Sequence, residues 1–151
     1  KYGWRHKQFE PIIKKNFENR LEIKDFRDPK VFWHAETGKW IMILAVQDRV
    51  HLYSSPNLLN WTFESEFGNG SGAHGGVWEC PDLFRLKVEG SDIIKWVMFV
   101  SINPGGPNGG NATQYFIGEF DGHSFVSDDR SENWVDWGRD NCCIIPVAHP
   151  S

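Results

Sequence analysis

Apolar residues recur along most of the chain in short runs that are separated by polar turn residues. The runs are rich in Val, Ile, Phe, Trp and Tyr and are bounded by Gly, Pro, Asn, Asp and Ser, which is typical of β-strands. They are Val31–Trp33, Trp40–Val46, Val50–Tyr53, Trp61–Phe67, Leu83–Val88, Ile93–Ile102 and Gln114–Phe120. Residues 36–39 and Asp121-Gly122 predict hairpin turns. No amphipathic helix is predicted, so the fold class is expected to be all-β.

The strand pattern occurs twice along the chain. Residues 27–32 align with residues 79–84 at an offset of 52, and Lys39–Met42 aligns with Lys95–Met98 at an offset of 56. The growing offset indicates longer loops in the second unit. Each unit holds about four strands in roughly 50–60 residues, which is typical of a β-propeller blade.

The repeat predicts the domain organisation. Four-stranded antiparallel blades are expected at residues 26–67 and 79–126, within a partial propeller that spans residues 26–140. Residues 1–25 are polar and basic and are expected to be a strand or loop remnant of a preceding blade. Residues 141–151 form an atypical tail, and a third blade is expected to start near Asp140.

Composition and charge exclude some classes of protein. The 151 residues carry 16 Lys and Arg against 20 Asp and Glu, and this net charge of -4 disfavours non-specific nucleic-acid binding. No run of about 18 apolar residues predicts a membrane helix. Three cysteines without a C-x-x-C motif predict neither a disulfide framework nor a zinc site, and six scattered histidines lack metal-binding spacing. No cofactor and no metal are expected.

Two further features favour a secreted, carbohydrate-active protein. Aromatic residues make up 15% of the chain and include eight Trp, whose flat rings stack on sugars, although sheet cores also use aromatic residues. N-glycosylation sequons at Asn60, Asn69 and Asn111 are a weak indication of secretion.

Asp28 and Glu79 are the candidate catalytic residues. They start equivalent strands of the two units, and the innermost strands of a propeller face one central channel, so the two carboxylates are expected to converge. Glycoside hydrolysis needs one protonated and one ionised carboxyl group. The apolar neighbours Val77 and Trp78 suit Glu79 to the protonated role, and Arg27 suits Asp28 to the ionised role. The alternative is that Asp-Pro and Glu-x-Pro are ordinary turn sequences.

The motifs around these carboxylates resemble those of glycoside hydrolase family 32, which contains invertases, inulinases and levanases. Arg27-Asp28-Pro29 resembles the R-D-P motif of the family, and Glu79-Cys80-Pro81 resembles its E-C-P motif. Residues 53–58, 72–78 and 103–118 agree as well, and the resemblance covers about residues 25–140. The Gly-rich stretch and the G-G-V-W-E-C-P sequence are most similar to the microbial levanase and exo-inulinase branch.

The resemblance implies a five-bladed catalytic propeller, usually followed by a β-sandwich, and retaining hydrolysis of β-fructofuranosyl bonds. Glu79 would be the acid/base, and Asp28 would stabilise the transition state. The substrate-binding residues would be Arg27, Trp78 and Cys80, with Arg27 on fructosyl hydroxyls and Cys80 tuning Glu79 from beside it. His74 lies close to the Glu79 loop and is expected either to be a loop histidine with satisfied hydrogen bonds or to touch substrate.

The chain departs from the family pattern at the nucleophile. The family nucleophile is an Asp in a W-M-N-D-P-N-G motif, and the only Asp-Pro here is Asp28-Pro29. The sequence is therefore expected to be an inactive fragment of a secreted β-fructosidase that acts on terminal fructosyl bonds of levan, inulin or sucrose. The alternative is a non-catalytic or vestigial carbohydrate-binding propeller piece, and a third reading is a propeller hydrolase that acts on other furanosides.

Overall fold

Two antiparallel sheets of four strands each make up the described part of the chain, residues 23–141 of a computed structural model. The first sheet contains, in spatial order, β1 (Phe26–His34), β2 (Lys39–Val46), β3 (Arg49–Ser55) and β4 (Thr62–Phe67). The second contains β5 (Val77–Lys87), β6 (Ile94–Asn103), β7 (Ala112–Phe120) and β8 (Phe125–Ser127). The predicted four-stranded antiparallel units are confirmed, and the second begins at Val77, two residues earlier than expected.

Residues 23–141 contain no helix, and hence none that is long and apolar enough to cross a membrane. Most of the expected remnant at residues 1–25 and nearly all of the expected tail at residues 141–151 lie outside the described residues.

The core forms because alternate residues of a strand point to opposite faces of its sheet. In β2, Ile41 and Ile43 belong to the main apolar cluster, which also holds Trp78, Met98 and Phe116 of the second sheet. The intervening residues of β2 and the side chain of Tyr53 form a second cluster on the other face of the first sheet, made of Met42, Leu44, Val46 and Tyr53. The two sheets are therefore joined face to face by one continuous core.

The first strands of the two sheets, β1 and β5, are called the inner strands here, and both are irregular near their first residues. The pairing of β1 with β2 shifts register between Arg27 and Lys30, and the pairing of β5 with β6 shifts between Glu79 and Asp82. The non-glycine residues Asp28 and Cys80 have φ of 56° and 46° at these points. A proline, which has no N–H to give to the ladder, follows each of them. These are β-bulges, which re-aim side chains and often lie beside active sites.

Candidate active site

Three contacts join β1 to β5, and each joins residues that are 52 positions apart in the chain. They are Arg27 Nη2 to Glu79 Oε1 at 2.6 Å, Cys80 N to Asp28 Oδ2 at 3.1 Å, and Lys30 Nζ to Asp82 Oδ2 at 3.0 Å. The offset equals that of the sequence repeat around the R-D-P and E-C-P motifs. Equivalent positions of the two sheets therefore lie side by side, and both bulges meet at the candidate site.

The guanidinium of Arg27 contacts three carboxylates. Its Nη2 donates to Glu79, its Nη1 lies 3.2 Å from Asp25 Oδ1, and its Nε lies 3.8 Å from Asp28 Oδ2. Asp28 and Glu79 thus touch the same cationic group. Their side chains are 34% and 19% exposed, so solvent and a small ligand can reach both.

Cys80 lies against Asp28. Its backbone N–H donates to Asp28 Oδ2, and its thiol sulfur lies 3.8 Å from the same oxygen. The sequence-based expectation puts Cys80 beside Glu79 as a tuning residue, and the geometry adds a direct contact with the other candidate carboxylate. Cys80 has a positive φ at the bulge of β5, and it is from this bulge that its N–H reaches Asp28 of β1.

Trp78 is fully buried, so its ring offers no face on which a sugar could stack. The indole N–H donates to the carbonyl of Ala73 at 2.8 Å, and the imidazole of His74 stacks on the indole at a centroid distance of 5.3 Å. The structure places this candidate substrate-binding residue beneath the site. From this position Trp78 can support the backbone of Glu79, which is the next residue in the chain.

The sequence motifs do not single out the Lys30–Asp82 ion pair, which the structure places beside the site. The Asp82 carboxylate is almost completely buried, and its second oxygen accepts a hydrogen bond from the Leu83 N–H at 2.8 Å. A buried carboxylate is tolerated when it is paired and hydrogen-bonded in this way. The signal that could have found this pair is the repeat itself, because Lys30 aligns with Asp82 at the same offset as Arg27 with Glu79.

The chemistry available at this site is that of three carboxylates, Asp25, Asp28 and Glu79, around the guanidinium of Arg27. Within residues 23–141, no group of three or more His, Cys, Asp or Glu side chains is arranged to hold a metal ion. A carboxyl group can move a proton and a second carboxylate can stabilise positive charge, while a guanidinium donates hydrogen bonds to hydroxyl oxygens. Glycoside hydrolysis uses a pair of carboxyl groups of this kind.

The chain belongs to the family of the Glycosyl hydrolases family 32 N-terminal domain, whose sequence profile matches residues 1–142. The levanase of Bacillus subtilis (strain 168) is 53% identical over 120 residues, which are 78% of this chain and 18% of that relative. An extracellular exo-inulinase of Meyerozyma guilliermondii is 50% identical over 118 residues, which are 77% of this chain and 23% of the relative.

A solved structure agrees with the fold. The fructofuranosidase from Schwanniomyces occidentalis, complexed with fructose, superposes with a TM-score of 0.74 at 46% identity, covering 79% of this chain and 23% of that structure. The domain of this family is a β-propeller, and the two sheets are parts of it. The chain spans about a fifth of the length of the relatives it matches.

Proposed function

We propose that the protein containing this chain is a secreted retaining β-fructofuranosidase, which releases terminal fructose from levan, inulin or sucrose. The observation that carries the proposal is the convergence of Asp28 and Glu79 on the guanidinium of Arg27. Its support is the family membership and the relatives named levanase and extracellular exo-inulinase. The complete propeller has five blades, of which residues 26–140 supply about two.

Each site residue has a distinct part in this reaction. Glu79 protonates the glycosidic oxygen of the leaving group and later takes a proton from the attacking water. Asp28 stabilises the positive charge of the oxocarbenium-like transition state, while Cys80 holds one Asp28 oxygen in place through its N–H. Arg27 donates hydrogen bonds to fructosyl hydroxyls. Trp78 acts by support and not by contact, because its ring is buried.

The nucleophile comes from a part of the parent protein outside these 151 residues. Retaining hydrolysis needs a carboxylate about 5–5.5 Å from the acid/base, where it forms the glycosyl-enzyme intermediate. Asp28 is held by Cys80 N–H and lies near Arg27, which suits it to charge stabilisation. The chain expressed alone is therefore expected to release no fructose at a useful rate.

The test is the release of free fructose from sucrose, inulin and levan by the full-length protein and by the 151-residue chain. Full-length wild type should be active, and Glu79→Gln should lose nearly all turnover while it still binds fructose. Glu89→Gln is the matched control, because Glu89 is exposed in the β5–β6 hairpin at the opposite end of β5. Robust release by the 151-residue chain would contradict the role of Asp28 and require a nucleophile within it.

The missing nucleophile motif favours one other reading, a non-catalytic carbohydrate-binding propeller. The same experiment separates the two. A full-length protein that binds fructose in calorimetry but releases none from any of the three substrates would support the binding module and would overturn the hydrolase.

A further inference from the structure

The two-residue turn between β2 and β3, Gln47-Asp48, contacts the first residues of both inner strands. The N–H of Gln47 donates to the carbonyl of Asp25 at 3.1 Å, just before β1. The carbonyl of Gln47 accepts from the N–H of Trp78 at 2.7 Å, at the start of β5. Gln47 has a φ of 59°, a conformation that non-glycine side chains adopt only when the surroundings compensate its strain.

The side chain of the next residue in this turn, Asp48, strengthens the link to β5. Its Oδ2 lies 3.0 Å from Nδ1 of His74, while Nε2 of the same imidazole lies 3.1 Å from the carbonyl oxygen of Ser71. The imidazole ring stacks on Trp78 with an interplanar angle of 20°. Both ring nitrogens of His74 thus lie within hydrogen-bonding distance of an oxygen, and one ring face stacks on Trp78, although the side chain is 31% exposed.

The loop between β6 and β7 packs against the other side of the start of β5. A Cβ at Gly76 would lie 1.8 Å from the carbonyl oxygen of Pro104, so only glycine allows this approach of the two backbones. The start of β5 is therefore held between that loop and the Asp48–His74 pair. Glu79 comes directly after Trp78, the residue that takes both the turn hydrogen bond and the ring stack.

We propose that His74, together with Asp48, is a positioning residue for the reaction at Glu79. The pair fixes Trp78, and through it the backbone of Glu79, relative to β1 and its Asp28. The inference rests on the proposed function and adds a residue that acts without touching substrate. A displacement of about 1 Å of a catalytic group can cost about a hundredfold in rate, so a support of this kind acts on turnover.

The test uses the full-length protein and separates the two interactions of His74. His74→Phe keeps a ring that can stack on Trp78 and removes the polar contacts of both ring nitrogens, whereas His74→Gln keeps an amide donor for Asp48. Since the binding groups stay in place, His74→Phe should lower kcat about tenfold and leave KM within about twofold. His74→Gln should recover part of this loss. Asp48→Asn, which is nearly isosteric, should lower kcat in the same direction.

The matched control is His123→Phe. His123 also bonds a carboxylate across the sheets, since its Nδ1 lies 2.8 Å from Glu64 Oε2, but its partner strand β4 is the outermost of the first sheet. This variant should lower Tm without a change in kcat. The double variant Asp48→Asn/His74→Phe should lose no more kcat than His74→Phe alone, because both changes break the same contact between Asp48 and His74.

The outcomes decide between the two proposals. An active wild type with unchanged kcat in both His74→Phe and Asp48→Asn overturns the positioning role and leaves the proposed function standing. Equal losses of kcat in His74→Phe and His123→Phe overturn it as well, because they indicate a general loss of structure. A folded wild type that releases no fructose overturns the proposed function and this inference with it.

Discussion

Arg27 and Glu79 occupy equivalent positions in two successive sheets and form an ion pair of 2.6 Å. The contact arises because each inner strand carries the same bulge at equivalent positions of the repeat, Arg27 to Lys30 and Glu79 to Asp82, so like positions of the two sheets lie side by side. In this pair one repeat supplies the cation and the other the carboxylate. Lys30 and Asp82, three residues further along the two strands, form an ion pair with the same arrangement of charge.

Replacement of Arg27 by lysine should strongly impair the fructosidase activity that we propose for the full-length protein. Arg27 uses three separate nitrogens on three carboxylates, and an ammonium is a single point charge that cannot reproduce this fork. We expect Arg27→Lys to lower kcat/KM for sucrose about a hundredfold. Arg85→Lys is the control, since Arg85 pairs with Glu36 across the two sheets at a half-exposed position. Equal activity of the two variants would contradict the role of Arg27.

Gly72 should tolerate a methyl group much less well than Gly70. Both glycines have positive φ, 76° and 69°, so alanine strains the backbone at either position. At Gly72 the new Cβ would also lie 2.5 Å from Phe116 Cζ and 2.5 Å from Gln114 Oε1, whereas at Gly70 it meets nothing within 4 Å. Gly72→Ala should destabilise the protein by about 2 kcal/mol more than Gly70→Ala, the usual scale of overpacking. Chemical denaturation of both variants measures this difference, and equal midpoints would contradict it.

The buried imidazole of His34 should make stability depend on pH. Burial between the sheets lowers the pKa of His34 below its ordinary value, although the nearby Glu36 carboxylate opposes the shift. The unfolded chain therefore binds the proton at a higher pH than the folded protein. The free energy of unfolding should fall as pH drops below about 6.5 and should stop falling, on this account, below the folded pKa.

The slope that belongs to His34 is at most one proton, or about 1.4 kcal/mol per pH unit. This slope should be absent in His34→Gln, so that it appears as the difference between wild type and the variant when urea denaturation is followed at several pH values between about 7.5 and 5. His123→Gln tests the specificity of the effect, because His123 is half exposed. An unchanged pH dependence in His34→Gln would contradict the assignment.

Most of the strands were predictable because their signals are local. The run Trp40–Val46 lies within β2, and the turn residues 36–39 separate β1 from β2 almost as expected. The start of β5 was predicted less well. Glycines and Glu-x-Pro surround it, so local propensity favours a turn there, while the pairing of Val77 with Asn103 extends the strand.

The amino-acid sequence by itself determined the strand pattern, its repetition at an offset of 52, and the two carboxylate motifs that identify the family. These properties follow from residue type and spacing along one strand, where the period of two decides which face each side chain takes. Only the tertiary structure decided that the ring of Trp78 is buried, that Arg27 bridges three carboxylates, and that Gln47 joins both inner strands. Such contacts depend on how one sheet stacks on the next, and residues distant in sequence carry no local signal of that geometry.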